Sequence, residues 1–151
     1  MATRLQGLDG LKAHVGDHLG YSDWHEITQE QVNRFADATL DHQWIHVDPE
    51  RAKAGPFGGP IAHGYLTLSL GPHLLGQVFQ VDGTKMGVNY GLNKVRFPSP
   101  VPVGSKLRLG ATLAGVEDIA GGAQVSVTMS FEVEGQEKPS CVAEVVFRYY
   151  F

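Results

Sequence analysis

The stretch spanning residues 61–79 constrains this chain more than any other. Ile61, Ala62, Tyr65, Leu66, Leu68, Leu70, Leu74, Leu75, Val78 and Phe79 are spread around the helical wheel instead of forming one stripe. A helix that is apolar on all sides is a buried helix, so other parts of the chain must surround it. Beyond Gly83 the hydrophobic period changes to two. Leu107, Leu109, Ala111 and Leu113 alternate with polar or small residues, and Val125, Val127, Met129, Phe131 and Val133 alternate with Gln124, Ser126, Thr128, Ser130 and Glu132. Residues 88–97 and 141–150 complete the set of strands, with turns at Gly121-Gly122 and Gly135-Gln136. A buried helix followed by an antiparallel meander predicts an α+β domain, a long helix wrapped by a curved sheet.

Local signals place two further helices. Thr28 with Gln31 reads as a capping box, and Val32, Phe35 and Ala36 follow at helical spacing, predicting a helix that ends near Thr39. Asp48-Pro49 is a second start, with Gly55 as its stop. No repeat, charge block or low-complexity tract divides the 151 residues, so 1–151 reads as one domain, long enough to bury a core without disulfides or metals. The formal net charge of -4 argues against a general nucleic-acid binder, which needs a cationic footprint. The single cysteine, Cys141, forms no disulfide framework and reads as a small hydrophobe in a reducing compartment. The first residues lack the apolar core of a signal peptide. His63, Gly64, Gly71, Pro72 and His73 interrupt the best apolar stretch, which makes it a poor membrane span. A cytoplasmic protein is expected.

The residues with chemical potential cluster in two places. Asp41 and His46 lie between the two short helices, on a loop, where a carboxylate and an imidazole can share proton transfer through one water. Their spacing alone is equally that of two unrelated loop residues. Further on, His63 and Gly64 fall at the start of the buried helix if Pro60 is its first residue. Backbone N–H groups there lack intrahelical partners, and Gly64 leaves the approach open to an acceptor that gains negative charge. Close helix–sheet packing is the plainer explanation of a glycine at that point. His42 and His46 have the spacing of a zinc pair. The Glu that would follow the first His is missing and no helix is predicted there, so no metal site is expected. His14, His18, His25 and His73 read as solvent-facing or structural.

Read together, these segments resemble the MaoC-like (R)-specific enoyl-CoA hydratases. The run 35–54 is similar to the hydratase signature: an aromatic, small residues, Asp41, His46 five positions later, then Asp48-Pro49 and alanines. Pro60-Ile61-Ala62-His63-Gly64 matches a second hallmark, and Phe97-Pro98-Ser99-Pro100-Val101-Pro102-Val103-Gly104 resembles the family's F-x-x-P-V-x-x-G region. The resemblance implies the hotdog fold and reversible hydration of a trans-2-enoyl-CoA to an (R)-3-hydroxyacyl-CoA. Asp41 and His46 would be the catalytic pair, and the Gly64 N–H the donor to the thioester carbonyl. His63 and Tyr65 would contact substrate beside it. No cofactor is implied, since coenzyme A is part of the substrate, and a homodimer is expected to cover the apolar helix. Lys94, Arg96, Lys106 and Arg108 could meet the coenzyme A phosphates, or equally form a solvated strand face. Leu40 stands where the family usually has Gly, Gln43-Trp44 where it has Asn-Pro, and Pro72 where it often has Ser. Trp44 lines an acyl pocket or packs beneath the loop. An acyl-CoA thioesterase and a non-catalytic acyl-binding module are the competing functions.

Overall fold

The computed structural model describes residues 1–151. The chain opens with β1 (Thr3–Gln6), α1 (Gly7–Ala13), β2 (His18–Tyr21) and β3 (His25–Glu26). The helices α2 (Gln29–Thr39), α3 (Trp44–Val47) and α4 (Pro49–Lys53) follow, then α5 (Gly64–Ser69) and α6 (Gly71–Val78). After β4 (Phe79–Asp82) come four long strands, β5 (Met86–Arg96), β6 (Lys106–Ile119), β7 (Gly122–Val133) and β8 (Cys141–Tyr150). The main sheet has the order β2-β6-β7-β8-β5, and β3 also pairs with β6. All of its pairings are antiparallel.

The period-two reading of the strands holds residue by residue. Every second residue of β7 is buried, from Ala123 to Val133, because alternate side chains of a pleated strand face opposite sides. Leu107, Leu109, Ala111 and Leu113 of β6 are fully buried beside them. Irregular register between β6 and β7, and twice between β5 and β8, bends the sheet toward its concave face. Gly122 begins β7 at a point where only glycine fits: a Cβ there would lie 1.9 Å from the Tyr149 carbonyl oxygen.

The central helix sits against the concave face, α5 packing on β8 and α6 on β6. This is the hotdog arrangement implied by the resemblance. The helix differs from its expected form in three ways. It starts at Gly64, with His63 as N-cap, because Ile61 and Ala62 are drawn into extended pairing with Pro102 and Val101. It is broken at Leu70, because Pro72 has no N–H to donate back along the helix. Bonds from Leu70 N to Leu66 O at 3.1 Å and from Leu74 N to Leu70 O at 3.0 Å carry the path across the break. Finally, it is not buried all round: Leu66, Thr67, Leu74, Leu75 and Val78 are buried, whereas Tyr65, Ser69, Pro72 and His73 are exposed.

Several elements had no sequence expectation. β1 pairs in parallel with β4, and Arg4 forms an ion pair with Asp82 across that pairing. The carboxyl of Asp82 is held below its usual range by the hydrogen bond from Arg4. β2 and β3 extend the sheet beyond β6, and α1 buries Leu11. At the opposite edge, β5 pairs only with β8, and Met86, Val88, Tyr90 and Leu92 are exposed along it. No helix is long and apolar enough to cross a membrane.

Candidate active site

The site is built by backbone hydrogen bonds that stitch three distant segments together. Thr28 caps α2, its hydroxyl accepting from Gln31 N at 3.1 Å. The reciprocal half of the capping box is absent, because the Gln31 side chain turns to His25 instead, at 3.0 Å. α2 ends at Leu40, which adopts φ 64 and is the only residue other than glycine with a positive φ. That left-handed turn throws the chain sideways into Asp41. It also accounts for the glycine that the family usually has at this position. Asp48 caps α4 through its carboxylate, which accepts from Arg51 N at 3.1 Å.

His46 does not lie on a loop as expected. It sits in the single turn α3, closed by His46 N to Gln43 O at 3.0 Å and Asp48 N to Trp44 O at 3.1 Å. The extended segment before α5 holds this turn on both sides. Ile61 N donates to Ile45 O at 3.0 Å, and His46 Nδ1 pairs with Ile61 O at 2.7 Å. A carbonyl can only accept, so Nδ1 carries the hydrogen and Nε2 is left as the acceptor. Trp44 packs beneath the loop, with the Arg51 guanidinium 4.4 Å over its ring and its edge against Gly55.

Asp41 is exposed and its carboxylate accepts from Gln43 N at 3.3 Å. Asp41, His46 and His63 each bring one side-chain ligand atom within 4.8 Å of the others. His63 is buried, 3% exposed. Its Nε2 donates to the Asp41 carbonyl at 3.1 Å, and its ring stacks on His46 with centroids 3.9 Å apart. His63 Nδ1 is buried without a partner. Desolvation holds its pKa below the ordinary 6.5, more strongly than the bond to Asp41 raises it. His63, expected from the sequence to contact substrate, thus turns both ring nitrogens toward the protein interior. Stacked imidazoles also direct their in-plane lone pairs side by side, not toward one tetrahedral centre, so this trio suits proton transfer better than a shared ion. His42, the other half of the rejected zinc pair, bonds Asp37 at 2.8 Å.

A cavity of about 350 Å³ adjoins His46, with Gly64, Thr67, Phe57, Phe97 and Ser140 in its wall. The Gly64 N–H has no hydrogen-bond partner within the protein, and His63 provides no side-chain cap. A Cβ on Gly64 would come within 3.1 Å of the Phe97 ring. Tyr65 is 71% exposed and meets Phe97 edge to face. Phe57 and Thr67 went unnoticed in the sequence: a lone aromatic in a Gly/Pro loop and a helical Thr carry no pattern. The basic residues with this spacing lie on two separated strands. β5, bearing Lys94 and Arg96, is separated from β6, bearing Lys106 and Arg108, by β8 and β7. Arg108 is engaged by Glu132 at 2.9 Å and by the rings of Tyr21 and Trp24.

Comparison with known proteins agrees with this fold. The model of the MaoC-like domain matches residues 11–135. The chain is 61% identical over 146 residues to 3-hydroxyacyl-thioester dehydratase Z of Mycobacterium tuberculosis, covering 96% of this chain and 97% of that protein. It is 43% identical over 141 residues to nodulation protein N of Rhizobium leguminosarum, covering 90% of this chain and 86% of the relative. Among solved structures, the (R)-hydratase of A. caviae involved in PHA biosynthesis superposes with a TM-score of 0.72 at 25% identity, covering 88% of this chain and 94% of that one. With its fold, its paired hallmark segments and its relatives in agreement, the chain belongs to the MaoC-like dehydratase family.

Proposed function

We propose that residues 1–151 act as one hydratase domain that adds water reversibly to a trans-2-enoyl-CoA, giving an (R)-3-hydroxyacyl-CoA. The observation that carries this reading is the separation of Asp41 and His46, within 4.8 Å. Two hydrogen bonds of about 2.8 Å meeting at the tetrahedral angle of one water hold their outer atoms roughly 4.6 Å apart. In the hydration direction the water oxygen adds to C3. One member of the pair takes the water proton and the other delivers a proton to C2. His46 can serve as the base directly, through the Nε2 lone pair that its bond to Ile61 leaves free, and as the acid once Nε2 is protonated.

The Gly64 N–H polarises the thioester carbonyl and stabilises the enolate-like charge, with Tyr65 beside it on the substrate side. The thioester itself activates the alkene, so the reaction calls for no metal or redox cofactor. Lys94 and Arg96, exposed on β5 next to Phe97, are suited to the phosphates of coenzyme A. We also propose a homodimer. The β5 edge has unpaired backbone groups and exposed apolar side chains on both of its faces, which a second copy of β5 would cover. A cytoplasmic setting fits the buried free thiol of Cys141.

The test is the loss of enone absorbance when a short trans-2-enoyl-CoA is mixed with the protein, with chiral analysis of the product. Asp41→Asn and His46→Gln should each lose about 10²–10⁴-fold in rate with unchanged circular dichroism. Retention of activity by either variant sinks the assignment. Thiol release from a saturated acyl-CoA, without hydration, would make the protein a thioesterase.

A further inference from the structure

We infer that His63 is a positioning residue that sets the geometry of the Asp41–His46 pair and does not itself touch substrate. This rests on the reading of that pair given above. Asp41 occupies an exposed turn, and the bond from His63 Nε2 to its carbonyl is the one hydrogen bond that ties its backbone to a distant part of the chain. The other contacts of the turn are local: Gln43 N to the Asp41 carboxylate, and His42 to Asp37.

The same imidazole presents its face to His46 at 3.9 Å, while Phe35 packs against it with centroids 4.9 Å apart. One rigid ring therefore spans both partners, holding Asp41 by its edge and His46 by its face. It is anchored as the residue immediately before Gly64, so the carbonyl donor shares the same backbone. A neutral ring suits this role: a protonated His63 would place a cation in stacking contact with His46 and near His42, with the Asp41 carboxylate as the one facing charge that favours it. The bond to Asp41 fixes the hydrogen on Nε2. Burial acts in the same direction, as its lowered pKa indicates.

Two substitutions separate the two jobs of the ring. His63→Gln keeps a donor at about the reach of Nε2 and loses the stacking face. His63→Phe keeps the ring and loses the donor. A misplacement of about 1 Å costs roughly 10²-fold in rate. His63→Phe should therefore lower kcat by about 10–100-fold with KM within about 3-fold, and His63→Gln should recover part of that loss. A raised KM with normal kcat would overturn the inference in favour of substrate contact. Wild-type kcat in both variants would overturn it outright.

Because either variant can fail to fold, ¹⁵N-histidine NMR of the intact wild-type protein gives an independent reading. His63 should appear as the Nε2–H tautomer and stay neutral at a pH where exposed histidines have titrated. An Nδ1–H tautomer would refute the inference. Asp41→Asn and His46→Gln run in parallel show which idea has failed. Activity in those variants removes the catalytic pair, whereas their inactivity beside fully active His63 variants removes only the positioning role.

Discussion

The Ile61 carbonyl accepts from His46 Nδ1 at 2.7 Å, although fifteen positions separate the two residues. Ile61 also gives its N–H to Ile45 at 3.0 Å. One extended residue thus fixes both the tautomer of His46 and the placement of the turn that carries it. The two hallmark segments are thereby joined through main chain, and the predictions below follow from that assembly and its surroundings.

Gly64→Ala should impair catalysis more than stability. The added Cβ lies 3.1 Å from the Phe97 ring and crowds the unpartnered Gly64 N–H. Phe97 is 43% exposed and can move aside, so the melting temperature should change little. We expect kcat/KM to drop by about 10-fold or more. Steady-state kinetics at full activity would contradict the role of Gly64.

Leu40→Gly should stabilise the protein. Leu40 is 81% exposed and sits at φ 64, so it contributes little burial and carries the left-handed penalty that glycine escapes. The gain expected is about 1 kcal/mol, after the extra unfolded-state entropy of glycine is deducted. Urea unfolding of the two proteins measures it.

Stability should fall as the pH drops below about 6.5 in a manner that depends on His63. Its folded pKa lies below the ordinary 6.5, so the unfolded chain takes up the proton first as the pH falls. The stability that this ring contributes is fully present above about 6.5 and is lost as the pH drops toward the folded value. Melting curves should show a steeper decline for the wild type than for His63→Gln. Parallel declines would exclude the effect.

Cys141 should be inert in the native protein. It is fully buried, and desolvation pushes its thiol pKa up to about 11, leaving almost no thiolate near neutrality. A chromogenic disulfide reagent at pH 8 should find no reactive thiol until the protein is denatured, and then one per chain.

The double substitution Val88→Glu and Leu92→Glu should convert a dimer into monomers. Both side chains are exposed on β5, at 37% and 48%, so the change costs the isolated chain little. Light scattering should show the mass of a 16.4 kDa chain for the variant and twice that for the wild type. A wild-type monomer with full activity would rule out the β5 dimer.

The parts of the fold legible in the sequence are those whose energetics are local. The alternation of β7 follows from the pleat, and the starts of α2 and α4 follow from side chains three residues away from the groups they cap. Asp41 and His46 could be paired from one short run of sequence, since a single turn links them. What stayed illegible depended on partners far along the chain. β1 has no periodicity over its four residues, and it exists because Phe79–Asp82 lies alongside it. The basic residues of β5 and β6 share one spacing in the sequence, and only the strand order shows how far apart they stand. The burial of His63 against His46, which turns an expected substrate contact into a residue facing inward, arises only when Ile61 brings segments fifteen residues apart into register. Hydrophobic pattern and capping are written in neighbouring residues, but which carbonyl a buried imidazole meets depends on how the sheet closes around the helix.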